Sequence, residues 1–316
     1  MKLQQLLEIL PEYSLDNQPK DMDMDILSIE VDSREVKNGS LFICIEGYTV
    51  DGHDYVNAAM ENGAAAIISE KKLSVQHIPV IIVPDTKRAL PLVANYFYQH
   101  PSKSFQLIGV TGTNGKTSVS HYINEILKGV GKQTGLIGTI EMKMKDQSYP
   151  VKNTTPDAQF LQKSFHQMKE VGIDTVTMEV SSHALELGRV HGTDFDIAVF
   201  TNLSQDHLDF HGTMDHYLFA KSLLFSQLGS TYEPEQRKFA ILNHDDPSSD
   251  FLKKVSAQPI LTYGINRPST FQAKNIHYSS TGVSFEMVTP QGNVEIQSHL
   301  MGEFSVDNML AAATTP

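Results

Sequence analysis

The run Gly109-Val110-Thr111-Gly112-Thr113-Asn114-Gly115-Lys116-Thr117 follows an apolar stretch at 106–111 that reads as a strand, and it opens a helical pattern over 116–130. A strand that turns through glycines directly into a helix leaves few folds open. Glycines let backbone N–H groups approach anionic oxygens, and the helix N-terminus adds a favourable dipole. Lys116 is placed to reach outer phosphates and Thr117 to offer a hydroxyl to a cation. The spacing departs from the strict phosphate-loop pattern: Val110 stands where a glycine is wanted, and Gly109 lies one residue early. A turn that only caps a helix is the plain alternative, and the strand–helix context favours a nucleotide.

From residue 105 onward, strand and helix patterns alternate. Strands are predicted at 106–111, 134–140, 175–180, 197–201 and 239–243, and helices at 157–171, 214–228 and 247–255. This alternation predicts a largely parallel sheet covered on both faces. Beyond residue 263 the pattern turns β-rich, at 271–276, 283–289 and 294–300, before a glycine turn and a helix over 302–313. The first hundred residues mix short strands (40–45, 80–83) with helices (54–62, 87–98), and His100-Pro101-Ser102-Lys103 breaks the pattern. The predicted class is α/β: a small mixed α/β N-terminal domain at 1–102, then a P-loop-type ATPase domain at 103–301. That second domain has a mainly parallel central sheet and a β-rich C-terminal extension. Residues 302–316 read as the start of a helix leading onward, and a run ending inside so strong a pattern is expected to be a fragment.

Composition narrows the function classes. A formal net charge of −12 argues against general nucleic-acid or anionic-membrane binding. No apolar run approaches the roughly 20 residues that span a bilayer, and the N-terminal stretch lacks a signal peptide's apolar core. Cys44 is the single cysteine, which excludes an intrachain disulfide and suits a reducing compartment. A cytoplasmic monomer without membrane insertion is expected.

Three further segments carry chemistry. The helical pattern after Gly212 sets Lys221 on the apolar stripe with Tyr217, Leu224, Phe225 and Leu228. An ammonium there either snorkels to water or is desolvated and chemically altered. Glu179, in Met178-Glu179-Val180-Ser181-Ser182-His183, falls at a strand's carboxyl end, where parallel sheets place ligands. Asp206-His207-Leu208-Asp209-Phe210-His211-Gly212 gathers carboxylates and imidazoles in the same position of the next unit. Such a set suits Mg²⁺, although His is unusual for that ion and an isolated His207 is more often a structural hydrogen-bonding residue.

Taken together, the segments Thr111 to Thr117, Asn153-Thr154-Thr155-Pro156, Met178 to His183, Asp206 to Gly212 and Tyr217 with Ala220-Lys221 resemble the Mur ligase family. Asp32-Ser33-Arg34, Gly39-Ser40-Leu41-Phe42 and the stretch from Gly47 to His53 resemble the uridine-nucleotide domain of the members that add the peptide's third residue. The resemblance implies an ATP-dependent, ADP-forming ligase of cell-wall synthesis. It would join L-lysine or meso-diaminopimelate to UDP-N-acetylmuramoyl-L-alanyl-D-glutamate through an acyl phosphate.

It also implies roles. Thr111, Gly112, Thr113, Asn114, Gly115, Lys116 and Thr117 would bind ATP, with Asn243 or Asp246 at the adenosine. Thr117 and Glu179 would hold one Mg²⁺. His207 and Lys221, the latter carrying a CO₂-derived carbamate, would hold a second. A neutral buried amine favours that modification. Ser33, Asn153, Thr154, Thr155, Ser181 and Arg189 would contact the UDP-linked substrate, and Lys116, Glu179, His207 and Lys221 would carry the chemistry.

The chain departs from the family at Ser305, where Asn is usual, and at Leu187, where some members have Gln. The family's C-terminal amino-acid-binding domain is expected to be missing, leaving the 316-residue chain alone a poor ligase. The competing readings are a folate polyglutamate or cyanophycin-type ligase, a non-catalytic nucleotide-binding relative, and a generic P-loop hydrolase. Which amino acid is added stays open at this stage.

Overall fold

The structure, a computed structural model, describes residues 1–17, 22–47, 49–234 and 236–315. The chain forms two units. One comprises Met1–Pro101, Asp157–Gln167 and Leu187–Thr193; the other comprises Ser102–Pro156, Met168–Glu186 and Asp194–Pro316.

The first unit contains α1 (Leu3–Leu7), β1 (Ser14–Asn17), β2 (Ser28–Glu30), β3 (Ser40–Ile43), α2 (Val56–Glu61), β4 (Ala64–Ser69), β5 (Val80–Ile82) and α3 (Thr86–Phe97). Its sheet runs β1-β5-β4-β3-β2, parallel except for β1 against β5. Successive strand residues face opposite ways. Leu41 and Ile43 therefore join Ile29, Ile68 and Ile81 beneath α1 and α3, whereas Phe42 packs with Cys44 and the Val56 and Ala59 of α2. Asp85 starts α3 by accepting a hydrogen bond from the Arg88 N–H at 2.9 Å. Gln159 belongs with this unit too: its side-chain N–H donates to the Ile29 carbonyl at 2.7 Å and to the Glu30 carboxylate at 3.2 Å.

The remaining elements, in chain order, are β6 (Gln106–Thr111), α4 (Lys116–Gly129), β7 (Thr134–Ile137), β8 (Met142–Met144), β9 (Gln147–Tyr149) and α5 (Ala158–Glu170). Next come β10 (Thr175–Glu179), α6 (Ser182–Glu186), β11 (Ile197–Phe200), α7 (Leu208–His211), α8 (Met214–Ser226), β12 (Phe239–Asn243) and α9 (Ser249–Val255). The chain continues through β13 (Ile260–Gly264), β14 (Phe271–Ser279), β15 (Gly282–Thr289), β16 (Gly292–Ser298) and α10 (Glu303–Thr314). Residues 158–167 of α5 group with the first unit and 168–170 with the second.

The second unit's sheet runs β16-β15-β14-β13-β12-β11-β6-β10-β7-β8-β9. The strands from β7 to β14 pair in parallel, and antiparallel meanders extend both edges. This is the parallel α/β sheet with a β-rich extension that the alternation predicts.

Every residue of β10 and β11 is buried, as a sheet covered on both faces requires. On one face Ile108, Val110, Ile197 and Val199 pack with Val119 and Ile123 of α4 and with Val306 and Leu310 of α10. Burying each such aliphatic side chain contributes about 1.5–3 kcal/mol. On the other face Gly109 is where Phe195 and Leu224 come closest: a Cβ there would lie 2.8 Å from the Phe195 ring. Gly109 is thus a packing glycine rather than a displaced member of the phosphate loop. Among the described residues, no helix is long and apolar enough to cross a membrane.

Candidate active site

The candidate residues of the second unit follow the carboxyl ends of its parallel strands, at the edge where open α/β sheets bind ligands. β6 ends in the glycine loop. Gly112 has φ +147° and Gly115 φ +86°, and a Cβ on them would collide with the Thr201 hydroxyl and the Asn308 side-chain oxygen. Only glycine fits both the backbone and the space at these two positions.

The loop is braced by the exit of β11. The Thr113 N–H donates to the Asn202 carbonyl at 2.8 Å, and the Asn114 N–H donates to the Asn202 side chain at 3.0 Å. The Thr201 hydroxyl donates to the Asn114 carbonyl at 2.6 Å, and the Ser204 N–H to the Thr113 hydroxyl at 3.0 Å. Thr113 and Asn114 thereby shape the loop.

Two lysines meet inside it. Lys116 Nζ donates to the Gly112 and Thr113 carbonyls at 3.0 and 2.8 Å, and Lys221 Nζ donates to the same Gly112 carbonyl at 2.8 Å. Burial lowers the pKa of Lys116, with Glu179 and Asp206 acting the other way. Lys221 is lowered well below the ordinary lysine value, first by burial and then by the neighbouring Lys116 charge. Its side chain is 1% exposed and its Nζ lies 4.3 Å from the Tyr217 ring centroid. Of the two readings of Lys221, the structure therefore supports desolvation: its stem does not carry the amine to water.

Glu179 ends β10 and is buried. Its Oε2 accepts from the Thr117 hydroxyl at 2.9 Å and from the Thr139 hydroxyl at 3.1 Å, and its Oε1 accepts from the Thr139 N–H at 2.8 Å. Thr139 lies two residues past the end of β7, beside Glu179 at the end of β10, and the sequence pattern does not single it out. The strand pattern runs on through 140, so nothing local marks Thr139 as a site residue. Gly138 is itself required, since a Cβ there would collide with Glu179 Oε1.

Thr155 fastens the segment after β9 to this point. Its hydroxyl donates to the Glu179 carbonyl at 2.9 Å and accepts from the Ser181 N–H at 3.0 Å. Ser181 Oγ accepts from the Ala184 N–H at 3.2 Å. Thr154 Oγ1 lies 3.0 Å from Thr139 Oγ1, and Asn153 is exposed.

His207 adopts a left-handed backbone, φ +50°, and is half exposed, with Nε2 3.5 Å from the Asp206 carboxylate. Its ring stands edge-on to His183 at 4.8 Å and to Tyr217 at 6.0 Å. His207 and Lys221 thus share Tyr217 as a neighbour. His211, behind them, is hydrogen-bonded to Ser182 at 2.9 Å. Its pKa is pushed down to about 4, chiefly by burial, then by His183, Lys221 and His207.

Asn243 and Asp246 are engaged in the backbone. The Asn243 amide donates to the Thr201 carbonyl at 2.8 Å and its oxygen accepts from the Asp245 N–H at 3.0 Å. The Asp246 carboxylate accepts from the Leu203 and Ser248 N–H groups at 2.7 and 2.8 Å. In the first unit, Ser33 is buried, its carbonyl accepts from the Asn62 side chain at 2.9 Å, and the adjoining Asp32 and Arg34 form a two-point ion pair. Arg189 is partly buried in the same unit.

Among the described residues, no group of three His, Cys, Asp or Glu side chains is poised to hold a metal. A hydroxyl and one carboxylate oxygen, as at Thr117 and Glu179, nevertheless suit a small hard cation that completes its shell with phosphate oxygens and water. The arrangement can receive a polyphosphate on the loop and a divalent cation beside it.

A model of the Mur ligase middle domain matches residues 110–315, and one of the Mur ligase family catalytic domain matches residues 25–98. The UDP-N-acetylmuramoyl-L-alanyl-D-glutamate–2,6-diaminopimelate ligase of Bacillus velezensis is 56% identical over 315 residues, 100% of this chain and 64% of that protein. The ligase of the same name from Listeria monocytogenes is 50% identical, over 100% of this chain and 63% of its own length. A solved structure of a ligase of that name superposes with a TM-score of 0.81 at 31% identity, over 97% of this chain and 62% of the other. A MurF ligase of Thermotoga maritima in complex with ADP, at 22% identity and TM-score 0.65 over 90% of this chain and 61% of its own, shares the fold. The chain thus spans just under two thirds of the length of these relatives.

Proposed function

The chain belongs to the Mur ligase family, and from that premise we propose that it serves an ATP-dependent, ADP-forming ligase joining 2,6-diaminopimelate to UDP-N-acetylmuramoyl-L-alanyl-D-glutamate for peptidoglycan. The observation that carries the reading is the meeting of Lys116, Thr117 and Glu179 at the carboxyl edge of the parallel sheet. The relatives' names favour diaminopimelate over lysine as the incoming amino acid. A single buried thiol and an ATP-dependent reaction fit a cytoplasmic enzyme, which we take to act as a monomer.

The chemistry must bring a substrate carboxylate onto the γ-phosphate of ATP, two anions that repel each other. Lys116 leaves its loop carbonyls and pairs with the outer phosphates, where its charge opposes that repulsion. Bound Mg²⁺, held by Thr117 and Glu179, would supply further neutralisation of the phosphate charge. Thr154, Thr155 and Ser181 orient the substrate's anionic end, while Ser33 and Arg189 serve its uridine and peptide portions. The carboxylate oxygen bonds to the γ-phosphorus as the bond to ADP breaks, and the incoming amine then attacks the acyl carbon, expelling inorganic phosphate and giving up a proton as the amide forms. We further propose that the neutral Lys221 amine takes up CO₂, forming an N–C bond and releasing a proton, and that the resulting carbamate with His207 would hold a second Mg²⁺. Desolvation of Lys221 supports this, since only the unprotonated amine has a lone pair for the new bond.

Calorimetric titration of UDP-N-acetylmuramoyl-L-alanyl-D-glutamate into the protein tests the reading, with Ser33→Ala as the control. Saturable binding that the substitution weakens is expected. No binding by a demonstrably folded chain removes the substrate assignment.

A further inference from the structure

Thr139 connects the two halves of the candidate site. A hydroxyl has one proton to give, and a carboxylate only accepts. In the contact between Thr139 Oγ1 and Glu179 Oε2, at 3.1 Å, the proton therefore belongs to Thr139. The contact between Thr139 Oγ1 and Thr154 Oγ1, at 3.0 Å, then leaves Thr154 as donor. With its proton turned inward, Thr154 offers lone pairs to whatever lies beyond it. That orientation repels an anion.

Glu179 Oε2 also accepts from Thr117, the first hydroxyl of the phosphate-loop helix. Thr117 and Thr139 thus both donate to Glu179 Oε2 and Thr154 donates in turn to Thr139, so an arm from the loop and an arm from the 153–156 segment converge on one carboxylate oxygen. A cation drawn to Glu179 competes with the Thr139 proton for the same oxygen. Once displaced, that proton can turn to the Thr154 oxygen, and the Thr154 proton is freed to point outward, where it donates to an anionic ligand.

We propose that Thr139 is a positioning residue whose hydroxyl, by turning from Glu179 to Thr154 and so reversing the arm between them, couples occupancy of the phosphate loop to binding of a carboxylate-bearing ligand at Thr154. The proposal rests on the ligase reading for the identity of the two ligands. The backbone N–H of Thr139 holds Glu179 Oε1 at 2.8 Å whatever the side chain is. Removal of the hydroxyl therefore interrupts the arm without releasing the carboxylate.

The test is a two-ligand calorimetric cycle: affinity for UDP-N-acetylmuramoyl-L-alanyl-D-glutamate with and without a saturating, non-hydrolysable ATP analogue and Mg²⁺. In the unsubstituted protein the nucleotide should tighten the second ligand by about tenfold, within the usual span of site–site coupling. Thr139→Val should bring that factor below about twofold while each ligand still binds alone, and Thr139→Ser should restore it. Thr154→Val also removes the hydroxyl that meets the ligand and should weaken the UDP-linked ligand on its own, but added to Thr139→Val it should lower the coupling factor no further, because both interrupt the same arm. Undiminished coupling in Thr139→Val, in a protein that binds both ligands and melts normally, overturns the proposal and leaves the ligase reading standing. Failure of the unsubstituted protein to bind the UDP-linked ligand overturns both.

Discussion

Lys221 is a buried amine that forms no ion pair with a carboxylate among the described residues, and Asp206 opposes the effect of burial only in part. Its Nζ donates to the Gly112 carbonyl and lies over the Tyr217 ring, while Lys116 crowds it with like charge. The folded-state pKa therefore sits well below the ordinary 10.5. Between those two values the unfolded chain holds a proton that the folded chain does not, so stability rises with pH across that window and is lowest below it. Replacing the amine by an apolar stem of similar length removes the burden. Lys221→Met in bicarbonate-free buffer should raise the melting temperature at pH 7, by about 2–4 °C for each kcal/mol recovered. The gap from the parent should narrow as pH rises toward 10.5, and on the proposed mechanism the variant should not turn over. Scanning fluorimetry from pH 7 to 10 checks this, and an unchanged or lowered melting temperature at pH 7 would contradict a costly buried amine. Sequence alone could place Lys221 on an apolar stripe but could not choose between snorkelling and desolvation. That choice depends on the Gly112 carbonyl, 109 residues away, being within reach.

The elements show the same division between what is local and what is not. Helices α3, α4, α5 and α8 were legible because three or four turns of periodic apolar residues identify a buried face. The loop between β6 and α4 was legible because glycine, lysine and threonine chemistry is written in consecutive residues. Strand β4 was not, because Ala64-Ala65-Ala66-Ile67-Ile68-Ser69 lies in a parallel sheet's interior and alternates nothing. The strand predicted at 134–140 stops at Ile137, since Gly138 and Thr139 leave the ladder to close around Glu179. No local pattern announces a carboxylate arriving from a strand some 40 residues later. Gly109 was read against a phosphate-loop template, yet its neighbours are Phe195 and Leu224. A methyl group there must displace a buried ring. Gly109→Ala should therefore destabilise the second unit by about 1–3 kcal/mol, the usual cost of overpacking. Urea denaturation measures it, and a neutral result would mean that Phe195 and Leu224 pack on β6 more loosely than described.

At the scale of the whole molecule, two units with separate apolar cores are expected to lose structure in separable steps. Scanning calorimetry should resolve at least two transitions. An ATP analogue with Mg²⁺ should move the one belonging to the unit that carries Lys116. At a hundredfold excess over the dissociation constant the gain is about 2.7 kcal/mol, and Lys116→Ala should abolish it. A single transition shifted as a whole would show that the two cores melt as one. The parallel sheet of the second unit also has an opposite edge, where its strands begin. There, turns such as the one at Gly131, before β7, and the one at Gly172, before β10, have open space where a side chain would project. Insertions, tags and evolutionary drift can accumulate at that edge without disturbing the chemistry, so relatives of this chain are free to differ in the length of these turns while keeping the opposite edge intact.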